Sequence, residues 1–252
     1  MCTLTYLPTP EGFLFTSNRD ESTARQGAVF PSLAQSNAGQ LLMPLDPQGG
    51  GTWILAAENG DAACLLNGAF VKHKRELPYR KSRGRVIVES FNYSTVEDFL
   101  RQYNFDKIEP FTLVRVSRNP DRSTVHEIRW DSKKLSHTQM DASQPHIWSS
   151  VTLYDEQMRT KRREWFAKWL KEEPAFTAEN IENFHLHGGE GDPTVDFKMT
   201  RSGGLQTISL TSLEVSYNTA LVSYYDLLTQ QKEREQLALT SFVPKSGTQS
   251  YH

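Results

Sequence analysis

The sequence has little cysteine: two residues, Cys2 and Cys64, in a chain of 252. So few in so large a chain exclude a disulfide framework, and stability has to come from a packed core. Charge of one sign is lacking too. Twenty-eight basic residues face 30 acidic ones, a formal net charge of −2, which argues against a nucleic-acid partner held by bulk charge. No apolar run approaches the ~18 residues of a membrane span, and no basic start followed by an apolar stretch marks a secretory leader. The expected location is the cytoplasm. No run rich in Pro, Ser and Gly divides the chain, so one domain is expected over residues 1–229, followed by a polar tail over 230–252. Metal-ligand patterns are also missing. His185 and His187 form the only close histidine pair, and on a helix rings two residues apart diverge, with no cysteine or carboxylate to complete a zinc site. No metal and no cofactor are expected. Hydrophobic content of 37% and charged content of 23% suit a soluble globular protein.

What is present is concentrated at the start. Thr3-Leu4-Thr5-Tyr6 reads as a strand, Pro8-Thr9-Pro10-Glu11-Gly12 as a turn, and Phe13-Leu14-Phe15-Thr16-Ser17 as a second strand running into Asn18-Arg19-Asp20-Glu21. A hairpin returns the residues just past its second strand to the start of its first, which places Arg19 and Asp20 beside Cys2. A small residue after Met1 permits removal of the initiator methionine. Cys2 then carries a thiol and a free α-amine, whose ordinary pKa near ~8 suits a base at neutral pH. An arginine beside the thiol favours thiolate, and an aspartate can hold the amine. The same residues also fit a plainer description, with Cys2 as a small hydrophobe in an edge strand and the charged tetrapeptide as an exposed turn with a surface ion pair.

Further along, Ser22 to Gln40 is polar and reads as a loop over the site mouth with a short strand at Ala28-Val29-Phe30; Leu41-Leu42-Met43 is another short strand. Pro47-Gln48-Gly49-Gly50-Gly51 is a turn. Thr52–Ala57 and Asp61–Leu66 flank Glu58-Asn59-Gly60, a strong hairpin signal. That hairpin delivers Asn67, either a turn residue or an amide donor to a developing oxyanion. Cys64 lies in an apolar strand and reads as core. Lys72-His73-Lys74-Arg75 with Arg80, Lys81, Arg83 and Arg85 is a basic stretch, either a solvated face or a reader of a substrate carboxylate or phosphate. Ser82–Phe91 and Ser94–Leu100 read as helices, the second with a capping box from Ser94 to Glu97. Phe111–Val116 and Val125–Trp130 form a hairpin around Asn119-Pro120-Asp121, with His126 as a face residue. His146–Ser150 is a strand. Asp155–Lys171 is a helix with a core stripe of Trp165, Phe166 and Trp169, and Thr177 caps another helix through Phe184. Strands follow at Leu205–Leu210 and Glu214–Leu221.

Met1-Cys2-Thr3 and Asn18-Arg19-Asp20-Glu21, followed by Gly50-Gly51-Thr52-Trp53, Leu65-Leu66-Asn67 and Ser82-Arg83-Gly84, resemble in order and spacing the NRDE family, also called the transport and Golgi organisation family. The resemblance runs to about Thr219. That family looks like a branch of the N-terminal-nucleophile hydrolases. The resemblance implies an α+β fold, a four-layer α/β/β/α sandwich, and cleavage of a non-peptide C–N bond. It implies catalytic roles for Cys2, Arg19, Asp20, Asn67 and, late in the chain, Arg201 in Thr200-Arg201-Ser202, which reads equally as a turn arginine. It points to Asn18, Trp53, Arg83 and Ser150 as substrate contacts. Family members often carry Asn in the place of Ser150, whose hydroxyl is shorter.

Two functions follow from these residues. The first is an N-terminal cysteine hydrolase that cleaves the amide of a small acylated molecule through a thioester. The second is a protein that holds a lipid, acyl-CoA or haem in the same pocket without turnover.

Overall fold

The computed structural model describes residues 3–37, 39–119, 123–172 and 175–240. In chain order the strands are β1 (Thr3–Thr9), β2 (Gly12–Ser22), β3 (Val29–Ser36), β4 (Gly39–Leu45), β5 (Ile54–Ala57), β6 (Ala62–Asn67), β7 (Phe111–Ser117), β8 (Thr124–Trp130), β9 (Leu135–Met140), β10 (His146–Ser149), β11 (Leu205–Val215), β12 (Thr219–Asp226) and β13 (Lys232–Ala238). The helices are α1 (Arg83–Glu89), α2 (Val96–Gln102), α3 (Glu156–Glu172) and α4 (Ala178–His187). No helix among the described residues is long and apolar enough to cross a membrane.

The strands make two antiparallel sheets, one of six strands in the order β10-β1-β2-β11-β12-β13 and one of seven running β3 to β9 in sequence order. Alternation explains the layering, because neighbouring residues of a strand face opposite sides. Leu4, Tyr6, Phe13 and Phe15 of the first sheet meet Ile54, Ala56, Cys64, Leu66, Val114 and Val116 of the second in the central core. Their neighbours Leu7 and Leu14 turn outward to α3 and α4, where Phe166, Ile181 and Phe184 of the helices and Phe197 of the following segment cover them. Leu55, Ala63, Leu65 and Leu113 turn outward on the other side to Val86, Ile87, Val96 and Phe99 of α1 and α2. The aromatic stripe of α3 is core, as expected. Trp169 packs on Phe184 with ring centroids 5.2 Å apart, and Phe184 on Phe197 at 4.5 Å. Each such pair contributes about 0.5–1.5 kcal/mol beyond its buried area.

Several boundaries differ from expectation, each for a local reason. Asn18-Arg19-Asp20-Glu21 does not follow the second strand but lies inside it, because β11 pairs with β2 on the side away from β1 and extends it: Asn18 is opposite Leu210, Arg19 opposite Ser209 and Asp20 opposite Thr207. The segment from Ser22 to Gln40, expected as a loop with a short strand at Ala28-Val29-Phe30, carries the longer strand β3. Its polarity comes from its place at the sheet edge, where most of its side chains are wet. The second helix is capped one residue later than expected, by Thr95, whose hydroxyl accepts from the Asp98 N–H at 3.0 Å. α4 continues past Phe184 to His187. β11 runs through to Val215, so the turn to β12 comes later than expected; Thr211 and Ser212 look like turn residues but are buried, and the Ser212 hydroxyl meets that of Thr16 at 3.2 Å. The tail expected from residue 230 begins instead with an edge strand. Its charged run is exposed, while Leu237 and Leu239 anchor it in the central core. Pro120 and Asp121, expected in the turn after β7, lie outside the described residues, as do Met1 and Cys2.

One contact joins two distant motifs. Gly51 and Gly84 pack backbone against backbone: a Cβ on Gly51 would lie 2.2 Å from the Gly84 carbonyl carbon and oxygen. The Thr52 N–H donates to the Gly84 carbonyl at 3.1 Å, and the Ser82 hydroxyl donates to the Gly49 carbonyl at 2.7 Å. The turn before β5 thereby holds the first residue of α1, Arg83. We expect Gly51→Ala to push these backbones apart and cost about 1–3 kcal/mol, read as a lower urea midpoint. A midpoint equal to that of the wild type would contradict the close packing.

Candidate active site

β2 divides its charged tetrapeptide between two faces. Asn18 and Asp20 point towards α3 and α4; Arg19 and Glu21 point the other way. Asn18 is fully buried, and its amide nitrogen donates to the carbonyls of His185 (3.2 Å) and Phe197 (3.1 Å). Those two acceptors fix the amide orientation, so its oxygen accepts from His185 Nδ1. His185 Nε2 then accepts from the Thr5 hydroxyl, 2.8 Å away. Asn18, expected as a substrate contact, is therefore committed to tying β2 to α4. Asp20 is 2% exposed; it accepts from the Thr207 hydroxyl at 2.7 Å and from the Tyr154 hydroxyl. Tyr154 lies under Arg162, whose guanidinium carbon is 4.0 Å from the ring centroid. Arg162 is fully buried and donates to the Thr3 hydroxyl at 2.6 Å and to the carbonyls of Val195 and Asp196. Asp20, Tyr154 and Arg162 thus reach the first described residue of β1, and Thr3 itself pairs with Asn18.

On the other face lies a cleft of about 520 Å³, lined by Arg19, Trp53, Asn67, Arg83 and the turn around Asp46, among others. Arg19 is 3% exposed and stacks over Trp53 at 4.9 Å. Its Nη2 lies 3.6 Å from Asp46, while its Nη1 has no hydrogen-bond partner among the described residues. Asp46 also receives Arg25 at 2.6 Å, and its other oxygen accepts the Gln48 and Gly49 N–H groups, closing the glycine turn. Asn67 ends β6 on the cleft wall. Arg83 donates to the Pro110 carbonyl at 3.2 Å and pairs with Glu109 at 3.2 Å. Burial pushes the Arg83 guanidinium below its ordinary value, with Glu109 opposing that shift.

The remaining expected site residues go elsewhere. Ser150 is not in the cleft lining; its hydroxyl donates to the Asn67 backbone carbonyl at 2.9 Å, steadying that residue from behind. Arg201 is not brought to the cleft. Its guanidinium donates to the carbonyls of Thr194 (2.9 Å) and Leu153 (3.0 Å), which ties α3's entry loop to the segment before β11. Cys64 is buried in the central core, and burial pushes its thiol up to about 12, so it stays protonated and inert at neutral pH. Asp46, Glu109, Tyr154 and Arg162 were not singled out by sequence reasoning, and His185 was weighed only as a metal ligand. Only Asp46, an acid just before a Pro-Gln-Gly turn, carried a local signal.

The sequence profile described as Transport and Golgi organisation 2 matches residues 1–199. The chain belongs to this family. Among solved structures, the fold of this family member is similar to that of an N-acylethanolamine-hydrolyzing acid amidase ortholog from Caenorhabditis elegans, with a TM-score of 0.56 at 10% identity, covering 84% of this chain and 92% of the other. It is similar to a variant of the conjugated bile acid hydrolase of Clostridium perfringens, with a TM-score of 0.56 at 12% identity, covering 97% and 100%. Both have the N-terminal-nucleophile hydrolase fold. The two facing sheets with helices outside are that four-layer α/β/β/α sandwich, as the sequence led us to expect. Comparison with curated protein sequences gives no match.

His185 makes a pH prediction for this fold. Burial, and secondarily Arg162, pushes its pKa down to about 3. Above its ordinary value near 6.5 both folded and unfolded chains hold it neutral. Below that value only the unfolded chain takes the proton, so stability falls by about 1.4 kcal/mol per pH unit from this group until the folded pKa is reached. Burial lowers the pKa of His126 as well, with the same sign. We expect urea midpoints to drop between about pH 7 and about pH 5, and the drop to shrink in His185→Gln. A pH-independent midpoint over that range would contradict the buried neutral imidazole.

Proposed function

We propose that this chain is an N-terminal cysteine amidohydrolase acting on a small acylated molecule, with Cys2 as its nucleophile after loss of Met1. The observation that carries this is Arg19. It is a buried guanidinium in the cleft wall whose Nη1 has no hydrogen-bond partner among the described residues, on the strand that pairs with the first described residue of β1. The hydrolase fold supports it further.

The chemistry divides among residues in stated roles. The Cys2 thiolate attacks the amide carbonyl, forming a C–S bond. The Cys2 α-amine takes the thiol proton and passes it to the leaving nitrogen as the C–N bond breaks. Arg19 favours the thiolate by its charge. The Asn67 amide and backbone N–H groups hold the oxyanion. Asp20, tied through Tyr154 to Arg162 and so to Thr3, orients the start of β1. Water then hydrolyses the thioester. Arg201 has no part in this scheme, because its guanidinium is already bonded away from the cleft. Cys64 does not compete, since its thiol is buried and protonated.

A range of amides and thioesters tested against wild type and Cys2 variants checks the scheme. Cys2→Ala abolishes turnover and Cys2→Ser slows it sharply. Asn67→Ala lowers kcat by about a hundredfold with little change in KM, the mark of an interaction made in the transition state. Iodoacetamide at neutral pH labels Cys2 and leaves Cys64 unmodified. Turnover that survives unchanged in Cys2→Ala rejects the mechanism.

A further inference from the structure

We propose that the cleft selects a ligand bearing an anionic oxyacid group, a carboxylate or a phosphate, and that this group docks at Arg75 and Arg83. The proposal takes the same cleft as the hydrolase reading and names its substrate class.

The charges around the cleft do not balance. Arg19, Arg25, Arg75, Lys81 and Arg83 line it against Glu21, Asp46 and Glu109. Lys81 is neutralised by Glu89 at 2.7 Å and does not count. The surplus sits at Glu109. This one carboxylate, 8% exposed, receives Arg83 Nη2 at 3.2 Å, Arg75 Nε at 3.4 Å and His73 Nε2 at 3.3 Å. Two guanidiniums on a single carboxylate leave one positive charge uncompensated even with His73 neutral. Asp46 is likewise shared between Arg19 and Arg25, but there Glu21, 3.2 Å from Arg25, restores the balance.

Donors are also left over. Among the described residues the buried Arg19 Nη1 and Trp53 Nε1 have no hydrogen-bond partner, and both residues belong to the cleft lining. A buried N–H without a partner is costly unless a ligand or water satisfies it. Arg75 uses only Nε on Glu109, and its side chain is 68% exposed, so the outer edge of its fork remains open. A planar fork beside a second guanidinium suits bidentate binding of an oxyacid. The volume, about 520 Å³, is that of a small-molecule site and not of a macromolecular groove. The basic stretch from Lys72 to Arg85 is thus not only a solvated face: part of it folds inward as one wall of the cleft.

The test measures binding, not turnover, on the Cys2→Ala chain by isothermal titration calorimetry. Three probes share one acyl chain: N-dodecanoylglycine, the phosphate monoester of N-dodecanoylethanolamine, and neutral N-dodecanoylethanolamine. At least one anionic probe should bind roughly tenfold or more tightly than the neutral one, and which one does so names the group. The preference should shrink as salt is raised and be largely lost in Arg75→Gln, an exposed position whose change spares the fold; Arg83→Gln should remove it further. Equal affinity for all three, preference for the neutral probe, no binding of any, or unchanged selectivity in Arg75→Gln would each overturn the proposal. Selective binding with no turnover in wild type would defeat the hydrolase reading alone. Turnover of neutral amides with no anion preference would defeat this inference alone.

Discussion

The constraint on which the rest depends is the two-sided geometry of one strand. β2 is hydrogen-bonded on both edges, to β1 and to β11, so it cannot rotate, and successive residues must face opposite layers. Four consecutive polar residues are thereby split. Asn18 and Asp20 serve the helical layer, where an amide, a buried imidazole, a tyrosine and a buried arginine satisfy one another. Arg19 and Glu21 serve the cleft. A shift of one residue in register would exchange the two sets. It would place a guanidinium against α4 and a carboxamide over Trp53, leaving buried polar groups unpaired on both sides. The register is held by that penalty as much as by the apolar alternation of Phe13, Leu14 and Phe15.

The cleft is assembled from segments far apart in sequence. Asp46 closes the glycine turn with one oxygen and holds two arginines with the other. The backbone contact between Gly51 and Gly84 brings the start of α1 against that turn, and Arg83 arrives with it. Glu109, just before β7, gathers the basic stretch. Glu109 holds more positive charge than it neutralises. Such a wall keeps its guanidiniums in place while leaving donor capacity for a ligand, which is what a preorganised binding surface requires.

Much of this was legible in the sequence, and the exceptions have physical causes. Local signals were sound where turn chemistry and alternation coincide: the opening hairpin, the Asn59-Gly60 hairpin and the aromatic stripe of α3. The order of short motifs pointed to the family and its layered fold. Edge strand β3 was read as a loop with only its first residues in a short strand, and β13 as tail, because an edge strand with one wet face carries the polar composition of a loop. Asn18 and Ser150 were expected as substrate contacts, but neither is in the cleft lining, and their side chains bond to backbone carbonyls. Alternation shows that a strand has two faces but not which of them meets the cleft. Arg201 was assigned to the site through the family resemblance, and its guanidinium bonds to carbonyls elsewhere. Glu109 and His185 had no local signature, since their importance arises only from what the fold brings against them.

The claim at the centre of this account is that Cys2, with its own α-amine free, is the reacting group. Intact-mass measurement on the protein purified from its native host tests this most directly. The account predicts a mass lacking Met1 in nearly all molecules, and a further increment of one acyl group, on Cys2, when the protein is quenched during turnover of an acylated amide. A mass that retains Met1 in most molecules would contradict it, because an amide nitrogen at residue 2 cannot act as the base.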